Sequence, residues 1–236
     1  AVLERAKSVG VSTVITIGTT VESSKHAASL AEKHDMVFST AGIHPHQVDS
    51  FDDADWPQLE TLWASKKVVG VGETGLDYFY ETSSRKRQKV MFERHLKTAK
   101  QLKYPCIIHV RDAFDDAFTL IERVDIGKYG IVHCFTGDRD DCRRALELGL
   151  YISLSGIVTF KNAKKLRDAV SLIPDDRLLI ETDAPFLAPV PYRGKRNEPS
   201  FVEKTARAVA ELRGQSFEHI ARTTKRNTER AFNLPI

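Results

Sequence analysis

Residues Pro105–Arg111 read PCIIHVR, a β-branched run whose two faces differ in kind. In an extended chain Ile107, His109 and Arg111 share one face, and Cys106, Ile108 and Val110 share the other. The second face is apolar throughout, whereas the first begins apolar and ends in a histidine and an arginine. The transition recurs along the chain. In Gly130–Gly137 (GIVHCFTG), Ile131 and His133 face one way and Cys134 the other, toward the core. In Arg177–Asp183 (RLLIETD), Leu179, Glu181 and Asp183 align. Each run ends in a side chain that can ligate a metal or carry a proton. Strands that are packed along their length and chemical at their carboxyl ends describe the working rim of a parallel barrel.

The rest of the chain extends that pattern. Strand-like runs lie at Val11–Gly18, Met36–Ile43, Lys67–Glu73, Pro105–Arg111, Gly130–Phe135, Leu150–Ser155 and Arg177–Asp183. Helical periodicity fills the intervals, as in Ser84–Lys103, Arg139–Leu148 and Lys161–Leu172. Such alternation predicts an α/β fold with a parallel sheet and helical crossovers. An open doubly wound sheet would gather its polar residues at one switch point. Here they end strand after strand, so a (β/α)8 TIM-type barrel is expected, with residues 1–236 as a single domain. Seven runs are one short of that barrel, and the chain opens on a helix-like segment, Val2–Val9. The barrel's first strand is therefore expected to be missing from this chain, ahead of Ala1.

Composition narrows the class. A hydrophobic content of 42% and a charged content of 28% are those of a globular domain, which argues against disorder. The net charge of +3 is too mild to mean nucleic acid by itself. The basic clusters at Arg85, Lys86, Arg87 and Lys89, and at Arg222, Lys225, Arg226 and Arg230, read as solvated helix faces. Cys106, Cys134 and Cys142 form no paired framework and no Cys-x-x-Cys, which suits a reducing cytoplasmic compartment. No apolar run reaches membrane-spanning length and no signal-peptide pattern opens the chain. A membrane role is not expected. A monomer is, and the sequence points to no specific protein partner.

The candidate site is Glu73, His109, His133 and Asp183, four coordinating types at four strand ends. One such histidine alone would more often be a hydrogen-bonded structural residue; four together favour a divalent-metal site. Glu73 lies in Gly70–Gly75 (GVGETG), which matches the dinucleotide fingerprint letter for letter. That fingerprint needs a helix opening off its last glycine, yet Leu76–Tyr80 follows and no helix is expected before about Ser84. Close backbone approach around a metal-bound carboxylate is the better use of these glycines. His44 and His46 sit just past another strand in Ala41–His46 (AGIHPH), His44 as a phosphate contact or as a loop cap. Arg111, and Arg196 in the loop Arg193–Pro199 (RGKRNEP), offer guanidinium forks suited to phosphate. Arg196 could instead pair with Glu198. The remaining histidines, His26, His34, His95 and His219, are expected at the surface.

Taken together these motifs resemble the TatD family of metal-dependent deoxyribonucleases, in the amidohydrolase-like barrel superfamily. The resemblance runs the length of the chain through AGIHPH, GETGLDYFY, IIHVRDA, VHCFTG, ETDAPFL, KRNEP and NTERAFNLP. It implies that Glu73, His109, His133 and Asp183 hold one or two divalent ions, with the glutamate able to bridge them. It also implies a first strand with Asp-x-His-x-His, which this chain begins downstream of. The expected activity is hydrolysis of DNA phosphodiester bonds, exonucleolytic, by a metal-activated water. Asp183 is the expected base and Glu73 the expected charge-stabilising ligand. Glu181 and His46 would orient the ligands, and His44, Arg111 and Arg196 would face the phosphate. Mixed N/O ligation fits Zn²⁺, and Mg²⁺ or Mn²⁺ suits phosphodiester chemistry. Two other readings stand beside this one: hydrolysis of an aminoacyl ester or cyclic amide by the same device, and a metal-poor, non-catalytic barrel.

Overall fold

The computed structural model describes residues 1–234. Seven strands are present among the described residues: β1 Val14–Thr16, β2 Val37–Ala41, β3 Val68–Asp77, β4 Cys106–Arg111, β5 Gly130–Val132, β6 Tyr151–Leu154 and β7 Leu178–Ile180. All pair in parallel and in chain order, so β1 and β7 are the two edges among the described residues. Nine helices are described around them: α1 Val2–Ser8, α2 Val21–Lys33, α3 Trp56–Trp63, α4 Arg85–Leu102, α5 Phe114–Val124, α6 Arg139–Glu147, α7 Lys164–Ala169, α8 Val202–Arg213 and α9 Phe217–Ala231. None is long and apolar enough to cross a membrane, among the described residues.

The two faces read from PCIIHVR separate into two cores. Cys106, Ile108 and Val110 pack outward with the helices, against Phe92, Phe118 and Ile121 among others. Ile107 joins an inner cluster with Ile15, Phe38, Val69, Ile131, Tyr151 and Leu179, one side chain from each of the seven strands. Residues from both edges of a seven-stranded sheet can meet only if the sheet curls, which is the TIM-type architecture. Phe232 and Leu234, beyond α9, pack into the same cluster, each such burial worth roughly 1.5–3 kcal/mol.

The rim begins where this packing stops. Helix caps set where several rim loops hand over to helices: the Thr20 and Asp138 side chains cap α2 and α6 in capping boxes, and Ser84 caps α4. β3 is the exception in length. It continues four residues past Glu73, with its register against β4 slipping between Val71 and Thr74. That bulge turns Glu73 out of the ladder, and its backbone N–H bonds the carbonyl of Gly18 instead, at 2.8 Å.

Candidate metal centre

Glycines make this bulge possible. Gly72 (φ 121°) and Gly75 (φ 143°) both occupy backbone space that other residues avoid. A Cβ on Gly72 would lie 2.6 Å from the carbonyl oxygen of Ile107, and one on Gly75 would overlap that of His109. GVGETG is thus a strand pressed against β4, and α4 begins only at Arg85. No helix opens off the motif to receive a pyrophosphate, so the dinucleotide reading fails on geometry.

Glu73 is the hub. It is 8% exposed, and its Oε1 lies 3.1 Å from His109 Nδ1, 3.4 Å from His44 Nε2 and 3.5 Å from His133 Nε2. His133 sits just past β5. Its Nδ1 approaches Glu181 Oε1 at 2.8 Å, and Ser153 Oγ donates to Glu181 Oε2 at 2.5 Å. A carboxylate on one ring nitrogen favours the proton there and turns the other nitrogen toward Glu73. Asp183 closes the group at its edge, with Oδ1 3.7 Å from His133 Nε2.

The donor set fits a divalent cation. Ligand atoms of Glu73, His109 and His133 lie within 4.8 Å of one another, in a mixed N/O set that transition ions accept. His44, His46 and His109 form a second group of that size. There His46 Nε2 and His109 Nε2 are both engaged by Asp77 Oδ2, at 2.8 and 3.0 Å. His44 Nδ1 accepts the backbone N–H of His46 at 3.1 Å. That cap leaves the proton on His44 Nε2, so His44 both caps its loop and presents a donor to the site.

Charge is divided unevenly across the cluster. Burial would raise the Glu73 carboxyl, but the histidines outweigh it and hold the group well below the usual range. Burial would lower His133, yet Glu181 and Glu73 push it up to about 10. His109 is likewise raised, despite burial, by Asp77 and Glu73. A cation entering this site therefore displaces protons held on imidazole. Asp183 goes the other way: burial pushes its carboxyl up to about 6.

Among the residues read as phosphate contacts, Arg111 lies beside the cluster, with Nη1 3.5 Å from the Tyr80 hydroxyl. Arg196 is exposed and makes no ion pair among the described residues. The alternative partner, Glu198, is held by Arg5 of α1 at 2.5 Å. One surface expectation and one core expectation are corrected, His95 and Cys134, while His219 stays partly exposed. His95 is fully buried, its Nε2 receiving the N–H of Ile43 at 3.2 Å. His219 is half-buried against Asp175 at 2.7 Å. Cys134 does not face the helical core: its φ of 43° breaks the strand alternation and sets Sγ 3.1 Å from Ser155 Oγ, beside Glu181. Two further residues of the site were not anticipated. Asp77 is fully buried between His46 and His109. Asn197 binds the carbonyls of Thr182 and Phe186 at 2.7 and 2.6 Å, pinning the loop that carries Asp183.

Residues 1–233 match a family model described as TatD related DNase. The uncharacterised metal-dependent hydrolase YabD of Bacillus subtilis (strain 168) is 41% identical, over 99% of this chain and 92% of its own length. The 3'-5' ssDNA/RNA exonuclease TatD of Rahnella sp. (strain Y9602) is 37% identical, over 99% and 91%. The crystal structure of the TatD homologue YJJV from Escherichia coli K12 superposes with a TM-score of 0.94 at 32% identity, over 99% of this chain and 91% of that one.

Proposed function

The chain belongs to the TatD-related DNase family of metal-dependent hydrolases, and from that premise we propose that it is a deoxyribonuclease, exonucleolytic, hydrolysing phosphodiester bonds in DNA. The observation that carries the proposal is the convergence of three histidine nitrogens on Glu73 Oε1, at 3.1 to 3.5 Å. Glu73, His109 and His133, with Asp183 at the edge, would hold one or two divalent ions. A bound ion of Zn²⁺, Mn²⁺ or Mg²⁺ type supplies Lewis-acid activation of water and of the phosphate.

The chain's own residues supply the rest. Asp183, with a pKa near 6, is ionised at neutral pH yet basic enough to take a proton from water, the balance a general base needs. Glu181 fixes the His133 ring from behind, and Asp77 does the same for His109 and His46. His44 Nε2 offers a donor to a phosphate oxygen. Arg111 is half-buried at the rim with no carboxylate within 4.0 Å among the described residues; Nη1 donates to the Tyr80 hydroxyl, and the rest of its fork is proposed to meet a second oxygen. Arg196 lies exposed in the loop after Asp183 and is proposed to meet the phosphate chain farther out. The exonuclease name of the Rahnella relative supports nucleic acid as the substrate class.

The test compares substrates. Arg111→Ala is expected to lose about tenfold to a hundredfold on single-stranded DNA, since a charge-assisted contact to phosphate is removed. Aryl and aminoacyl esters should be poor substrates for both proteins. A chain that hydrolyses esters well, and is indifferent to Arg111→Ala, would instead be a carbonyl hydrolase on the same device.

A further inference from the structure

Beside the metal centre the rim exposes two rings. Phe79 and Tyr80 lie two and three residues past the end of β3 and are 55% and 54% exposed. Neither is loosely held. Asp77 Oδ1 accepts both of their backbone N–H groups, at 3.0 and 2.9 Å, while Oδ2 engages His46 and His109. One buried carboxylate thus ties the aromatic pair and a histidine of the centre into a common frame. The Tyr80 ring meets the His46 ring edge-on at 5.3 Å, and the Phe79 and Tyr80 rings stand perpendicular at 4.9 Å. Arg111 lies over both, its Cζ 4.0 Å from the Phe79 centroid and 4.8 Å from that of Tyr80.

We propose that Phe79, Tyr80 and Arg111 form a stacking shelf for one nucleobase next to the bond being cleaved, so that the enzyme grips an unpaired strand. The proposal rests on the phosphodiesterase reading above and adds how the substrate is chosen. Every base has a π-face, so a ring shelf accepts any sequence, and a base within a duplex is already stacked and paired and cannot use it. The guanidinium spread on the rings adds positive charge where the adjoining phosphate must pass. A folded protein partner suits the patch less well, because two rings fall far short of the roughly 1,000 Å² that a stable protein interface requires.

The experiment is a cycle between enzyme and substrate, run on the metal-loaded enzyme. Single-stranded oligonucleotides are cleaved intact, or with one abasic nucleotide placed on either side of the cleaved bond. The wild type should favour the intact strand by about tenfold or more in kcat/KM at one of these positions, mostly through KM, the scale of one base–ring stack. In the Phe79→Leu, Tyr80→Leu double variant the ratio of intact to abasic should fall to near one, and Tyr80→Phe alone should keep it. A wild type that ignores the missing base, or a double variant with an unchanged ratio, overturns the shelf and leaves the nuclease standing. A wild type that cleaves no oligonucleotide overturns the nuclease reading, and the shelf with it.

Discussion

At the end of β3 the chain is pressed into its neighbours, and at the end of β7 it opens out. Glu73 and Asp77 are 8% and 0% exposed, reached through glycines that touch the backbone of β4. Asp183, Phe186 and Gly194 belong to a loop in which Asp183 and Gly194 take positive φ, Phe186 is 69% exposed and Gly194 has open space around it. Electrostatics follows the packing. Histidines hold Glu73 ionised, whereas Asp183 has few partners and burial raises it to about 6. The dense side is suited to holding a charge in place, and on the proposed mechanism the looser side supplies the group that takes up a proton.

Four experiments can break or sharpen that contrast. Glu73→Ala should have the largest effect, about a thousandfold in hydrolysis, the upper range for losing a group that stabilises developing charge. Bound metal should fall with it, and elemental analysis beside the rate assay checks both. Near wild-type activity would dissolve the distinction between the two sides.

His95 tests how the dense side is supported, since it lies behind it against Trp56 and Trp63. Burial lowers its pKa from 6.5 to about 4. A neutral folded imidazole gives stability that is complete above about pH 6.5 and lost as pH falls toward 4, about 3 kcal/mol in all. Urea unfolding from pH 7.5 to pH 4 should show this loss in the wild type beyond that in His95→Gln. Parallel pH profiles would show that His95 is not the group responsible.

Asp183→Asn should cost about a hundredfold, the lower range for a positioned base, with metal content retained. Loss of metal equal to that of Glu73→Ala would show that Asp183 holds the ion as firmly as Glu73 does and would erase the contrast between the two sides. The smallest effect compares two glycines. Gly194→Ala needs only a left-handed alanine in open space, about 1 kcal/mol. Gly75→Ala meets the same kind of penalty and the His109 carbonyl as well, and should cost about 2 kcal/mol more. Equal unfolding midpoints would show the β3 side to be no tighter than the β7 loop.

Most of the fold could be read from alternation, because strand faces sort into an inner and an outer core wherever the backbone stays extended. The readings went astray where the backbone leaves that rule. Cys134 and Asp183 both take positive φ. For Cys134 this reversed the expected direction, whereas Asp183 still reaches His133 despite it. Asp77 was missed because GVGETG looks like the end of a strand. Its signal was present all the same, since Glu73 and Asp77 share parity. His95 also had one, lying on the stripe Gln88, Met91, Phe92, His95, Leu96 and Ala99 that α4 buries. The Arg5–Glu198 pair had none, being a contact across nearly the whole chain.

The most direct measurement is nucleotide release from single-stranded DNA by the purified chain, stripped of metal with a chelator and then resupplied with Mg²⁺, Mn²⁺ or Zn²⁺. The metal-centred account predicts no release from the stripped protein and release restored by at least one of the ions. Undiminished release in chelator, or none with any ion, would contradict it.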